Sequence, residues 1–275
     1  MQLLVTGGSG YLGAHVLKRA PKTWQIAATY FAHPIVHENA AAFRVDVRDA
    51  DAVNRLFDEF QPDVVIHTAA LMTGEEMLSV NVDGSRTVAR AAARLHARLI
   101  HLSSDVIFDG EHAPYDEHAA PDPISPYAES KARAELEVIE KFPRAVIVRT
   151  SLIYGFDPLD PRTRQVLNGE MLRLFTDEYR CPVFVDDLAD ALLELAENDF
   201  AGVINIAGAQ RLSRYEFGVK VAHAFHAAPR FAAALSASYA GRRPRDCALD
   251  ISLAQKILRT RLRGVDQVIA TRLLL

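Results

Sequence analysis

The chain has 275 residues, 49% hydrophobic and 24% charged, enough for one large α/β domain or a domain with a small appended lobe. A net charge of −4 and a pI near 6.2 leave no basic footprint, so no nucleic acid partner is expected and a small-molecule one is. The two cysteines, Cys181 and Cys247, have neither disulfide-framework nor metal-ligand spacing, and the start "MQLLVTGG" with no long apolar run predicts a cytoplasmic protein, neither exported nor membrane-anchored.

Short apolar runs predict strands over 2–6 ("QLLVT"), 24–29 ("WQIAAT"), 43–46 ("FRVD"), 63–68 ("DVVIHT"), 98–103 ("RLIHLS") and 144–150 ("RAVIVRT"). Between them, "DADAVNRLFDEF" (49–60) and "NVDGSRTVARAAARLH" (81–96) carry helical patterning. Near-continuous apolar strands alternating with helices predict a doubly wound parallel sheet of the Rossmann type. After residue 150 the pattern loosens. "YGFDPLDPR" (154–162) reads as a loop, "PVFVDDLADALLELAE" (182–197) as a short strand and helix, and "GVINIAG" (202–208) as one more buried strand. From Ser213 onward the chain reads as helices and loops, with "RRPRD" (242–246) a basic loop. The expected organisation is an NAD(P)-binding Rossmann domain from 1–150 plus 183–208. A smaller C-terminal substrate-binding lobe, 151–182 plus 209–275, is expected over the C-terminal edge of the sheet.

The cofactor end is read from "VTGGSGYLG". Gly7, Gly10 and Gly13 follow the first strand and open a helix, with Tyr11 and Leu12 between them, which suits a tight turn and helix N–H groups aimed at a pyrophosphate. The second strand ends "ATYFAHP" (28–34), where Tyr30 and His33 stand but no carboxylate for a ribose, so NADP is expected, with NAD as the alternative. No arginine stands at this point to bind the extra phosphate. Asp46, followed by Val47, closes the third strand; it either meets the adenine amino group or caps the next helix. Thr68, Ala69 and Ala70 end the fourth strand with small residues that let backbone approach the cofactor.

The chemical end follows the fifth strand, where Ser103, Ser104 and Asp105 stand at the edge at which such sheets bind ligands. In "SPYAESK", Ser125 and Pro126 start a helix with Tyr127 in its first turn and Lys131 four residues on, on the same face. A carbonyl that receives a hydride needs a proton donor and an oxyanion partner. A phenol needs an adjacent cation to act near neutral pH. Tyr127, Lys131 and Ser104 supply those three functions, with Ser103 an equivalent candidate one residue away.

The glycine-rich start, "HTAA", "NVDGS", "LSSD" and Y-x-x-x-K, in this order, resemble the extended short-chain dehydrogenase/reductases. Within them, "SSDVIFDG" (103–110), "SPYAESKARAE" (125–135), "VRTSLIYG" (148–155), "PVFVDDLADALL" (182–193) and "RPRDCALDISLAQKIL" (243–258) resemble the dTDP-4-dehydrorhamnose reductase, or RmlD-like, family. The resemblance implies Ser104, Tyr127 and Lys131 as catalytic residues, Asn81 as a helper ordering water near Lys131, and a nucleotide-sugar site near Arg243, with Asp105 orienting substrate or capping a loop. It implies reduction of the 4-keto group of a nucleotide-linked deoxysugar. Leu152 replaces the tryptophan usual in this family, and Val106 stands where dehydratase cousins carry a glutamate. An epimerase retaining NAD is one alternative. A non-catalytic NADP-binding subunit that modulates a partner enzyme such as methionine adenosyltransferase is another. The ten histidines have no metal-ligand spacing and are expected at the surface or satisfied in the core, and one face of the alanine-rich helices 89–97 and 221–229 suits a homodimer contact.

Overall fold

The computed structural model describes residues 1–35 and 37–272. Its first strands and helices alternate as the apolar runs require: β1 (Gln2–Thr6), α1 (Tyr11–Arg19), β2 (Gln25–Tyr30), β3 (Ala40–Arg44), α2 (Ala50–Phe60), β4 (Val64–His67), α3 (Met77–Leu95), β5 (Arg98–Ser104), α4 (Pro126–Lys141) and β6 (Val146–Thr150). The chain continues through β7 (Ile153–Tyr154), α5 (Pro161–Asn168), β8 (Arg173–Phe175), β9 (Tyr179–Arg180), β10 (Val183–Phe184) and α6 (Val185–Glu197) to β11 (Gly202–Ile206). It ends with β12 (Leu212–Ser213), α7 (Arg214–Ala224), β13 (Ala232–Ala234), α8 (Ser252–Ile257) and α9 (Val265–Arg272).

Seven strands form one sheet in the order β11-β6-β5-β4-β1-β2-β3. The pairs from β3 through to β5 are parallel, and the order reverses between β1 and β4, which creates the crevice at which open α/β sheets bind ligands. The fold is the doubly wound Rossmann type. Leu4, Ala27, Val65 and Leu99 are fully buried in the middle strands, and Val53, Leu56 and Phe57 of α2 pack against the same core. In α3 the buried face is Val88, Ala89, Ala91 and Ala92, whose small side chains let the helix lie close. Arg86 of α3 forms a bidentate pair with Glu137 of α4, at 2.6 and 2.9 Å.

The third strand lies a few residues earlier than the apolar run 43–46 predicts. β3 is the sheet edge and its alanines are mostly exposed, while Val45, the apolar residue near the end of that run, is buried in the loop after it. Asp46 therefore stands two residues beyond the strand, and the helix cap is Asp49, which accepts from the Ala52 N–H. No helix among the described residues is long and apolar enough to cross a membrane, and no cluster of three metal-ligating side chains occurs among them.

Backbone contacts divide the chain into two compact units. The first is Met1–Ser104, Pro126–Val148 and Ala189–Ile204, and holds most of the sheet. The second is Asp105–Ser125, Arg149–Leu188 and Asn205–Leu275. Its core gathers Tyr154, Val166, Leu174, Phe217 and Val221, with Phe156 and Phe184 edge-on or tilted to Tyr154 at 5.6 and 5.7 Å. Leu152 packs against this cluster. Three short strand pairs organise the unit, β7 with β10, β8 with β13 and β9 with β12. The strand β13 corrects the helix-and-loop reading of the segment from Ser213 onward: a run of three residues, "AAA", is too short to carry an alternation.

The turn from β1 into α1 leaves no room for a side chain at Gly7 or Gly13. Gly7 has φ +71°, and a Cβ there would lie 2.7 Å from the Ala69 backbone. A Cβ on Gly13 would lie 2.4 Å from the Gly7 carbonyl oxygen and 2.8 Å from the Gly8 Cα. Gly13→Ala is therefore expected to lose roughly 1–3 kcal/mol, read as a lower urea midpoint at unchanged slope. Gly10→Ala, whose Cβ would stand 3.2 Å from the same carbonyl, is expected to lose less.

Candidate active site

The glycine turn sets up an anion cradle. Gly10 is the N-cap of α1, so no side chain covers the helix N-terminus, and its backbone dipoles face outward from the strand end. The Gly8 N–H donates to the Thr29 carbonyl at 2.8 Å and the Gly7 N–H to Thr29 Oγ1 at 3.2 Å, which ties the turn to β2. Leu12 is buried, and Tyr11 lies half-buried against the His15 ring at 4.9 Å. The close approach of Gly7 to Ala69 closes the cradle on the β4 side, where Thr68 Oγ1 donates to the Thr6 carbonyl at 2.7 Å and Ala70 is exposed. A helix N-terminus without a side-chain cap, behind a glycine-rich turn, fits a dinucleotide pyrophosphate.

At the paired ends of β2 and β3 the structure places a cation that the sequence does not single out. Tyr30 at the end of β2 pairs in register with Arg44 at the end of β3, and the Arg44 Nε donates to the Phe31 carbonyl at 3.2 Å with its guanidinium 5.8 Å from the Phe31 ring. Arg44 is fourteen positions from Tyr30 in sequence, and only strand pairing brings it there. Asp46 is held by Arg48, whose Nη2 approaches at 2.6 Å and keeps the carboxyl below its ordinary pKa; Arg48 also reaches Glu76 at 2.8 Å. Val47 is buried in the core beside Gly84, where a Cβ would meet its methyl at 2.6 Å.

At the chemical end, Ser104 is the last residue of β5 and half-buried, while Ser103 points into the sheet with its Oγ buried and unbonded. The strand alternation thus leaves Ser104 as the reachable hydroxyl. Tyr127 lies half-buried in the first turn of α4, and Lys131 one turn on is 3% exposed. The Lys131 ammonium donates to the Leu102 carbonyl, which pins α4 against the end of β5 beside Ser104. Burial pushes its pKa down to about 8, opposed by the Glu135 carboxylate. Asn81 accepts from the Leu71 N–H at 2.8 Å and donates to the Leu71 carbonyl and to Ser130 Oγ, so both its amide protons go to protein atoms.

Two histidines lie beneath this group. His67 of β4 and His101 of β5 stack at 5.3 Å, both buried. Ser85 Oγ donates to the Asn81 carbonyl at 2.6 Å, so His67 Nε2 donates to Ser85 and His67 Nδ1 accepts from Thr6 Oγ1. Burial, then the Lys131 charge, pushes the His67 pKa down to about 3, and the same two causes hold His101 well below its ordinary value. The expectation of satisfied core histidines holds for His67 but not for His101, whose two ring nitrogens have no hydrogen-bond partner.

Asp105 and Arg243 belong to the second unit. Asp105 is buried, accepts from Ser151 Oγ at 2.6 Å and lies 3.8 Å from Arg180 Nε. Arg243 forms a bidentate pair with the buried Glu178 and lies over the rings of Phe175 and Tyr239 at 5.1 and 4.9 Å.

Comparison with known proteins agrees with this architecture. The chain is 28% identical over 275 residues to the methionine adenosyltransferase 2 subunit beta of Bos taurus, covering 91% of this chain and 80% of that one. It is 33% identical over 233 residues to a dTDP-4-dehydrorhamnose reductase of Mycobacterium tuberculosis (strain CDC 1551 / Oshkosh), covering 78% and 72%. The crystal structure of dTDP-4-dehydrorhamnose reductase from Bacillus anthracis str. Ames, in complex with NADP, superposes with a TM-score of 0.85 at 20% identity over 98% of this chain and 97% of that one. The family model described as the RmlD substrate binding domain matches residues 1–273, and the chain belongs to this RmlD-like family of extended short-chain dehydrogenase/reductases.

Proposed function

We propose that the protein is an NADP(H)-dependent reductase that transfers hydride to a ketone, the 4-keto group of a nucleotide-linked deoxysugar. The observation that carries this reading is the desolvated Lys131 one helical turn from Tyr127 and hydrogen-bonded beside Ser104. The nicotinamide supplies the hydride. Tyr127 gives the proton that the reduced carbonyl oxygen requires, Ser104 donates a hydrogen bond to that oxygen as charge develops, and Lys131 favours the phenolate left behind. The cradle at Gly7, Gly10 and Gly13 holds the pyrophosphate, with Tyr30, Asp46, Val47, Thr68, Ala69 and Ala70 around the remainder of the cofactor.

NADP rather than NAD is supported by the missing carboxylate after β2 and by Arg44, whose terminal guanidinium nitrogens are available to a 2′-phosphate. The relative crystallised with NADP supports the same choice. The likeness to methionine adenosyltransferase 2 subunit beta favours a second reading, a subunit that binds NADP and acts on a partner enzyme. The two separate on turnover.

NADPH oxidation with a dTDP-4-keto-6-deoxysugar is expected in the wild type and at least about a hundredfold slower in Tyr127→Phe at unchanged NADPH affinity; equal binding without turnover in both proteins overturns the reductase. Lys131 is charged below about pH 8 and loses its proton as the pH rises through that value, so kcat/KM for ketone reduction is expected to fall on the alkaline side. Lys131→Arg, which stays protonated, should remove that limb whatever its residual rate. Arg44→Ala is expected to weaken NADPH binding about tenfold and leave NADH binding unchanged, measured by titration of each cofactor.

A further inference from the structure

Thr6 ends β1 and His67 ends β4, and the two face each other across the parallel pair. From there a line of buried side chains leads to α4. Thr6 Oγ1 donates to His67 Nδ1 at 2.6 Å, His67 Nε2 donates to Ser85 Oγ at 3.1 Å, and Ser85 Oγ donates to the Asn81 carbonyl at 2.6 Å. The Asn81 side-chain amide donates to Ser130 Oγ at 2.8 Å, and Ser130 Oγ donates to the Tyr127 carbonyl at 2.7 Å. All of these bonds run in one direction. One end of the line adjoins Gly7 of the cofactor turn, and the other is the backbone of the residue read above as the proton donor.

Thr6, His67, Ser85, Asn81 and Ser130 are each at most 2% exposed. Apolar residues at these positions would avoid the desolvation that the polar atoms incur, and the hydrogen bonds offset it only because every member of the line is satisfied. What the line adds is direction. A neutral imidazole accepts at one nitrogen and donates at the other across a rigid ring, which a phenyl ring of similar shape cannot do. Burial keeps His67 neutral, with a pKa of about 3, and the stacked ring of His101 sets its plane. At the far end, Tyr127 is the second residue of α4, in a first turn of the kind that frays, and its carbonyl is the atom that Ser130 holds.

We propose that His67 is a positioning residue for Tyr127: through Ser85, Asn81 and Ser130 it ties the first turn of α4 to the end of β1 at the cofactor turn. Its effect on turnover rests on the reductase reading above, while the coupling itself rests on the hydrogen bonds. His67 carries no proton to the substrate and acts only through where it holds Tyr127.

His67→Phe preserves the ring shape and the stack on His101 and removes both hydrogen bonds. With NADPH and a dTDP-4-keto-6-deoxysugar, kcat is expected to fall at least about tenfold while both KM values stay within about twofold. An unchanged kcat in the folded variant, as a merely structural histidine would give, overturns the proposal. Thr6→Val and Ser130→Ala break the line near its two ends and share no bonding partner. A line broken twice loses no more than a line broken once, so the double variant should match the slower single one; losses that multiply overturn the proposal. Should His67→Phe fail to fold, this pair of variants carries the kinetic test. The coupling is also read without turnover, in full-length protein labelled with 15N at histidine. The His67 Nε2–H resonance, assigned through its ring correlations, is expected to shift in Ser130→Ala, a residue that His67 does not hydrogen-bond. An unmoved resonance overturns the coupling whatever the enzyme does. A shifted resonance in a protein that never oxidises NADPH sinks the reductase and leaves the coupling standing, and turnover untouched by His67→Phe does the reverse.

Discussion

An ammonium taken out of water must be answered at once by polar atoms, and Lys131 imposes that demand on the elements around the candidate active site. Its hydrogen bond to the Leu102 carbonyl fixes how far along β5 the helix α4 sits. The preceding residue, Ser130, takes a hydrogen bond from Asn81, and Asn81 holds the backbone of Leu71 after β4. Two adjacent residues of α4 thereby register a strand, a helix and a loop against one another. The rings behind them are held neutral first by their own burial, and a second cation at His67 or His101 would also meet Lys131 across a medium that screens poorly.

The second unit solves a different problem. Its apolar core is aromatic and compact, with Leu152 adding to it. Next to this core stands a charged layer in which carboxylates of Glu178 and Asp105 each hold an arginine. Pairing of this kind contributes little net stability, because desolvation offsets most of the attraction. It does fix direction, since a guanidinium bound on two sides cannot swing.

The sheet was legible because a strand buried on both faces must be apolar throughout, and the runs at 2–6, 63–68 and 98–103 have that character. The edge strand β3 was displaced in the reading because an edge carries no such demand. Gly7, Gly13, Tyr127 and Lys131 were legible since turn geometry and helical spacing act over a few residues. Arg44 was not. It is an ordinary surface-type arginine in sequence, and only strand pairing brings it beside Tyr30. His101 stayed hidden likewise, because nothing in "RLIHLS" tells a satisfied ring from an unsatisfied one.

The contact of Gly7 with Ala69 bears on how such a protein can diverge. The floor of the cofactor cradle is built from backbone on backbone, so a change there must be matched at a second place at the same time. The edge strand β3 is open, bordered by alanines and free of core packing over most of its length. Single substitutions along it carry almost no structural penalty. Descendants of this chain can therefore vary one residue at a time along this rim, while the glycine turn stays frozen.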